Sequence, residues 1–164
     1  MRACIALLSI CVACGNGARE AAVQIPEPRT PQFEDYPAGE IYQGPLADVD
    51  LSSAEGARRF RTVIRSGAKS GPNFAGHYTV VGWGCGTMCQ TYAIVDAKSG
   101  KVFMPHLITE LGAEYRLDSK LFVANEPELA KDWCFEGAAV KPDIRYYVWG
   151  NERLTLIDTL VACP

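Results

Sequence analysis

The sequence predicts an α+β domain: one N-terminal helix on a mainly antiparallel sheet of about six or seven strands, stapled by disulfides. Three observations lead there. Residues 74–103 carry short runs of β-branched and aromatic residues broken by glycines and turn signals, a pattern that suits half-buried antiparallel strands. Residues 144–149 and 153–160 repeat it around Gly150-Asn151-Glu152, which reads as a hairpin. Ala54, Ala57, Phe60, Val63 and Ile64 recur every three or four positions, the spacing of one apolar helix face.

The chain begins with targeting signals rather than fold. Arg2 and the apolar run over residues 3–13 read as a signal peptide. The following Val12-Ala13-Cys14-Gly15-Asn16-Gly17 resembles a bacterial lipoprotein signal. That resemblance implies a diacylglycerol on the Cys14 thiol, with cleavage just before it. Gly15, in place of Asp, implies delivery to the outer membrane by the sorting rule of enteric lipoproteins. Residues 14–45 hold Pro26, Pro28, Pro31, Pro37 and Pro45 and read as an extended tether. The aromatics of its later part, residues 33–42, suit it to lie against the domain. The globular domain is assigned to residues 46–164.

Within the domain, Ser52 and Glu55 have capping-box spacing, so a helix is predicted over residues 53–66, ended by Gly67 and Ser70-Gly71-Pro72. A first strand over residues 74–83 places Phe74, Gly76, Tyr78 and Val80 on one face. Ala75, His77, Thr79, Val81 and Trp83 share the other. Strands over 90–95 and 101–104 complete a meander, joined by the turn Asp96-Ala97-Lys98-Ser99-Gly100. Residues 105–111 read as loop or short helix. Residues 113–124 read as strand, turn and strand, and 127–133 as one or two helical turns.

Composition excludes some classes of function. The chain is 48% hydrophobic and 21% charged, which is ordinary for a single domain. A net charge of −3 argues against nucleic-acid binding, which wants a basic stripe. Arg58, Arg59, Arg61 and Arg65 are the nearest thing to one, and they read as a solvated helix face.

After removal of residues 1–13, Cys85, Cys89, Cys134 and Cys163 remain besides Cys14. An even number in an oxidising compartment reads as two disulfides. Cys85–Cys89 with Cys134–Cys163 is the favoured pairing, and crossed pairs are the chief alternative. The competing chemistries fit less well. His77, His106, Cys85 and Cys89 could supply four zinc ligands, but the cysteine spacing is not that of a zinc knuckle. A nucleophilic thiolate beside His77 would require a free cysteine. No cofactor and no metal is therefore expected. His77, Trp83 and Tyr92 are the candidate binding residues, although aromatics on strands are more often core.

The runs G-P-N-F-A-G-H-Y at 71–78 and W-G-C-G-T-M-C at 83–89, with the later D-A-K-S-G-K-V, are similar to a group of small secreted proteins and lipoproteins of Gram-negative bacteria. That group carries no established activity. The resemblance therefore supports the compartment and the disulfides and adds no mechanism. The functional expectation is a lipid-anchored envelope protein facing the periplasm, acting as a non-enzymatic binding module. Its partners would be the membrane, through the anchor, and an envelope protein or cell-wall component. One alternative is a periplasmic inhibitor or immunity protein against a cell-wall hydrolase or toxin. Another is a small hydrolase using His77 with a cysteine or carboxylate.

Overall fold

A computed structural model describes residues 29–138 and 141–163. The stretch read as a signal peptide, Cys14 and the first part of the stretch read as a tether lie outside the described residues. The fold is α+β and antiparallel throughout its two sheets. The first sheet contains β1 (Tyr78–Gly86), β2 (Cys89–Asp96), β3 (Val102–Phe103) and β4 (Ile108–Thr109). β3 and β4 pair with successive stretches of β2, at Ile94–Val95 and at Gln90–Thr91. The second sheet has the order β5 (Ala113–Tyr115), β6 (Leu121–Ala124), β7 (Ile144–Gly150) and β8 (Arg153–Leu160).

The single sheet of six or seven strands expected from sequence is thus replaced by two four-stranded sheets that pack on each other. Side-chain alternation sets the layers. Val80, Tyr92 and Ile94 from the first sheet meet Phe122, Ala124 and Trp149 from the second. On the outer side of the first sheet, Val81, Ala93 and Val95 meet the helix α1 (Arg61–Ala68). On the outer side of the second, Leu121, Val123, Ile144 and Tyr146 meet Ala130 of the short helix α2 (Pro127–Asp132). All four residues of β6 are buried because both of its faces are covered.

Phe74 sits at the centre of the inter-sheet layer, fully buried. Its ring meets Tyr115, Phe122 and Trp149 edge-on, at centroid distances of 6.2, 6.0 and 6.2 Å. Such edge-to-face contacts match the electron-poor ring edge to the electron-rich face. Phe74 does not belong to a continuous strand, as the sequence reading had it. The chain reverses at Ala75 (φ 46°) and Gly76 (φ 83°), and Phe74 exchanges backbone hydrogen bonds with Tyr78. Gly76 also donates to Leu117 O at 2.7 Å. A Cβ there would lie 2.7 Å from Glu40 O, so the close approach requires glycine.

The helix starts later than its spacing predicts. A 3-10 turn covers Ala57–Phe60 and α1 begins at Arg61, with no side-chain cap. The Ser52/Glu55 capping box does not form. Asp50 Oδ1 instead accepts from Ser52 N and Oγ. Ser53 Oγ donates to Asp50 O and accepts from Val102 N at 2.8 Å. These hydroxyls are thus held in a turn tied to β3. The predicted apolar face is otherwise the observed one, since Ala54, Ala57, Phe60, Val63 and Ile64 all pack under β1 and β2.

Cys85 pairs with Cys89 across the β1–β2 tip, and Cys134 pairs with Cys163. The second bond fixes the C-terminal end of β8 to the segment after α2. In the chain-entropy model, a closed loop of that length stabilises by about 3.5 kcal/mol. Phe33 and Tyr36 pack beside β6 and β7, and Ser119 Oγ donates to Phe33 O at 2.8 Å. Contact with the domain therefore starts within the stretch read as tether.

Phe74→Ala is expected to lose about 3–5 kcal/mol of stability, as for other buried aromatics cut to alanine. Phe74→Leu, which keeps most of the volume, should lose clearly less. Urea unfolding at fixed pH checks both. A loss under about 1 kcal/mol for the alanine variant would show that the sheets hold together without this ring.

Candidate functional site

A cleft of about 780 Å³ opens between the β1–β2 tip and the second sheet. Glycine builds one wall. Gly82, Gly84 and Gly86 place only backbone along that end of β1. A Cβ on Gly82 would come within 3.0 Å of the Tyr92 ring, so this glycine leaves room for the tyrosine. Trp83 and Met88 stand on the same wall, and the Cys85–Cys89 bond closes its tip. Tyr115 of β5 and Trp133, just after α2, line the opposite side.

The polar part of the cleft is carboxylate. Glu110 and Glu126 line it beside the Gln90 amide, and among the described residues no lysine, arginine or histidine does. Glu110 is held in place by Asn125, which is buried with φ 64°. Asn125 Oδ1 accepts from Glu110 N at 2.8 Å and Leu111 N at 3.0 Å. Its Nδ2 donates to Glu110 Oε2 at 2.8 Å and Asp143 O at 3.0 Å. All four hydrogen bonds of this side chain are thereby used, which fixes the wall rigidly. Arg145 Nη2 lies 3.9 Å from Glu110 Oε2 behind the lining, while donating to Ile108 O. Glu126 Oε1 and the Gln90 side-chain amide both stand over Gly112, whose φ is 78°.

The three candidate binding residues separate. Trp83 and Tyr92 line the cleft and His77 does not. Tyr92 is its floor, almost fully buried, with its hydroxyl 2.7 Å from Thr109 Oγ1. Burial raises the Tyr92 pKa, and the Thr109 hydrogen bond partly offsets that. Trp83 is half-buried and packs against Phe60 with tilted rings, centroids 4.7 Å apart. Among the described residues its indole N–H finds no hydrogen-bond partner.

His77 lies in the turn before β1, at the opposite end from the cleft. It is not on a strand face with Thr79 and Trp83, as predicted. Its ring packs against Tyr78 at a tilt, centroids 4.1 Å apart, and Nε2 is 3.8 Å from Asp96 Oδ1. Burial lowers the His77 pKa below 6.5, Asp96 opposes the shift and Lys98 reinforces it. Asp96 is itself engaged as a turn acid, accepting from Lys98 N and Ser99 Oγ. Because Cys85 and Cys89 are bonded to each other, neither is a free thiolate for His77 to activate.

Sequence reasoning missed Glu110, Glu126, Tyr115, Trp133 and the organising Asn125. The one local signal was Asn125-Glu126-Pro127, an asparagine suited to positive φ just before a proline that opens a helix. The chain matches no family model, no curated protein and no solved structure.

Glu114 stands beside this acidic group. Burial, followed by the nearby Glu126 and Glu128, raises its pKa above the ordinary 4.5, and Arg116 opposes. The folded state therefore holds this proton more tightly than the unfolded chain does. The resulting stability is fully present below the unfolded value and is lost as pH rises through the raised one. Glu114→Gln should be more stable than the parent at neutral pH and should change less between neutral and mildly acidic pH. Thermal unfolding across that interval checks it, and parallel pH profiles for the two proteins would contradict it.

Proposed function

We propose that this protein is a lipid-anchored binding module of the bacterial envelope, facing the periplasm, that takes its ligand in the cleft between the two sheets. The carrying observation is the cleft's lining: aromatic rings with two carboxylates and, among the described residues, no basic side chain. Rings and carboxylates together favour a cationic or amino-bearing group, through ring-face attraction and charge-assisted hydrogen bonds. An envelope protein presenting a lysine or arginine, or a cell-wall peptide with a free amine, has that chemistry. The anchor at Cys14, and with it the outer-membrane location, rests on the lipoprotein-like signal and on the resemblance of residues 71–103 to small envelope proteins.

The second reading is a periplasmic inhibitor or immunity protein. The same acidic cleft suits a basic hydrolase or toxin, since opposite charge speeds encounter and selects partners. A hydrolase built on His77 has less support. The cysteine form requires a thiol that the disulfide consumes, and the carboxylate form requires Asp96, which already closes a turn.

Titration calorimetry with amine-bearing soluble muropeptides and with a basic lysozyme-type hydrolase separates the readings. Saturable binding of either, weakened about tenfold or more in Glu126→Gln and Trp133→Ala, supports the cleft. Muropeptide binding favours the general module, and loss of hydrolase activity on complex formation favours the inhibitor. Binding of neither, or binding indifferent to both substitutions, rejects the cleft as a cation site.

A further inference from the structure

The helix side of the molecule carries the opposite charge from the cleft. Arg58, Arg61, Arg65 and Lys69 follow one another at spacings of three, four and four residues. That spacing places them along one helical face. All four are exposed. They border two recesses, of about 480 and 410 Å³, which share Val49 and Arg65 and so form one groove.

The fold accounts for part of this arrangement: Arg65, in the last turn of α1, and Lys69, its C-cap, stand at the end of the helix where the dipole favours cations. Among the described residues, none of the four cations is in an ion pair. Like charges three and four residues apart repel along a helix. Arg61 opens α1, whose first turn holds no acidic residue. Positive charge there stands at the wrong end of the helix dipole. Among the described residues, the only carboxylates lining the groove are Asp48 and Asp50. Asp50 Oδ1 is occupied by Ser52 N and Oγ. Those hydrogen bonds, with a lesser contribution from Arg58, keep its carboxyl acidic. Four cations thus face two carboxylates, and the groove is left with positive charge.

We propose that this groove binds a phosphate group, gripped chiefly by Arg61 and Arg65. Guanidinium groups meet phosphate oxygens through paired N–H donors. Two arginines one helical turn apart can converge on the same tetrahedral anion. A bound phosphate would relieve the repulsion between them and supply the negative charge that the start of α1 lacks. This site is separate from the cleft and does not depend on how the cleft is used. A membrane headgroup and a soluble phosphate are the two carriers of that chemistry.

The test uses inorganic pyrophosphate in a thermal-shift titration and sedimentation with phosphatidylcholine vesicles, with and without phosphatidylglycerol. Both are run at low and at high salt, since exposed charges are screened. Saturable stabilisation by pyrophosphate assigns a soluble phosphate. Binding to phosphatidylglycerol vesicles alone assigns a headgroup. In either case R61Q/R65Q should weaken the response about tenfold or more. R153Q, which removes an exposed cation from β8, should leave it unchanged. Circular dichroism of each variant, and the single variants R61Q and R65Q, separate loss of binding from loss of fold. No response to either probe, or equal losses in R153Q and R61Q/R65Q, overturns the proposal.

Discussion

The packing of Phe74 between the two sheets is the constraint on which the other features of this fold depend. The ring reaches Tyr115, Phe122 and Trp149, so one side chain joins β5, β6 and β7 to the start of β1. The same turn is tied by its backbone to the loop between β5 and β6. Ala75 N donates to Ser119 O and Gly76 N to Leu117 O. It also holds the N-terminal segment, where Tyr42 N donates to Gly76 O. Directional aromatic contacts and paired backbone groups together leave little freedom in how the sheets meet. The cleft inherits that order, since its floor at Tyr92 and its side at Tyr115 both border the Phe74 cluster.

Local features of the chain were legible in its sequence. The meander, the C-terminal hairpin and the apolar helix face follow from periodicity, and the structure shows each of them. The favoured pairing of the four cysteines is also the one observed. What remained illegible is non-local. Alternation shows which residues face inward but not which sheet they face. The covering of both sheets on both faces leaves its trace in unbroken apolar runs, Tyr92-Ala93-Ile94-Val95 of β2 and Leu121-Phe122-Val123-Ala124 of β6, neither of which has a solvent side. Ser52 misled for a local reason, because its hydroxyl donates to Asp50 two residues before it, while the neighbouring Ser53 is tied to Val102, 49 residues away.

The candidate site was legible only where it is local. Trp83 and Tyr92 could be singled out from their two strands. Glu110 and Glu126 could not, because their position rests on Asn125 and on the docking of β5 and α2 across from β1. Net charge concealed more than it revealed. A value of −3 averages an acidic cleft between the sheets with a basic groove outside the helix. Burial and packing sort these charges into separate surfaces, and composition carries no trace of that sorting.

The last strand bears on how the protein behaves in a crowd. Among the described residues β8 ends its sheet with one side unpaired, and Leu156, Ile157 and Leu160 along it are exposed. Such an edge is a template for strands of other chains. In β8 the register breaks, because Tyr146 faces Asp158 while Tyr147 faces Leu156, leaving Ile157 as an extra residue. A bulge of this kind bends and twists the strand, so a straight incoming strand cannot follow the whole edge. Arg153 and Asp158 add charge to it. One inserted residue thus works against edge-to-edge aggregation along a strand that exposes three large apolar side chains.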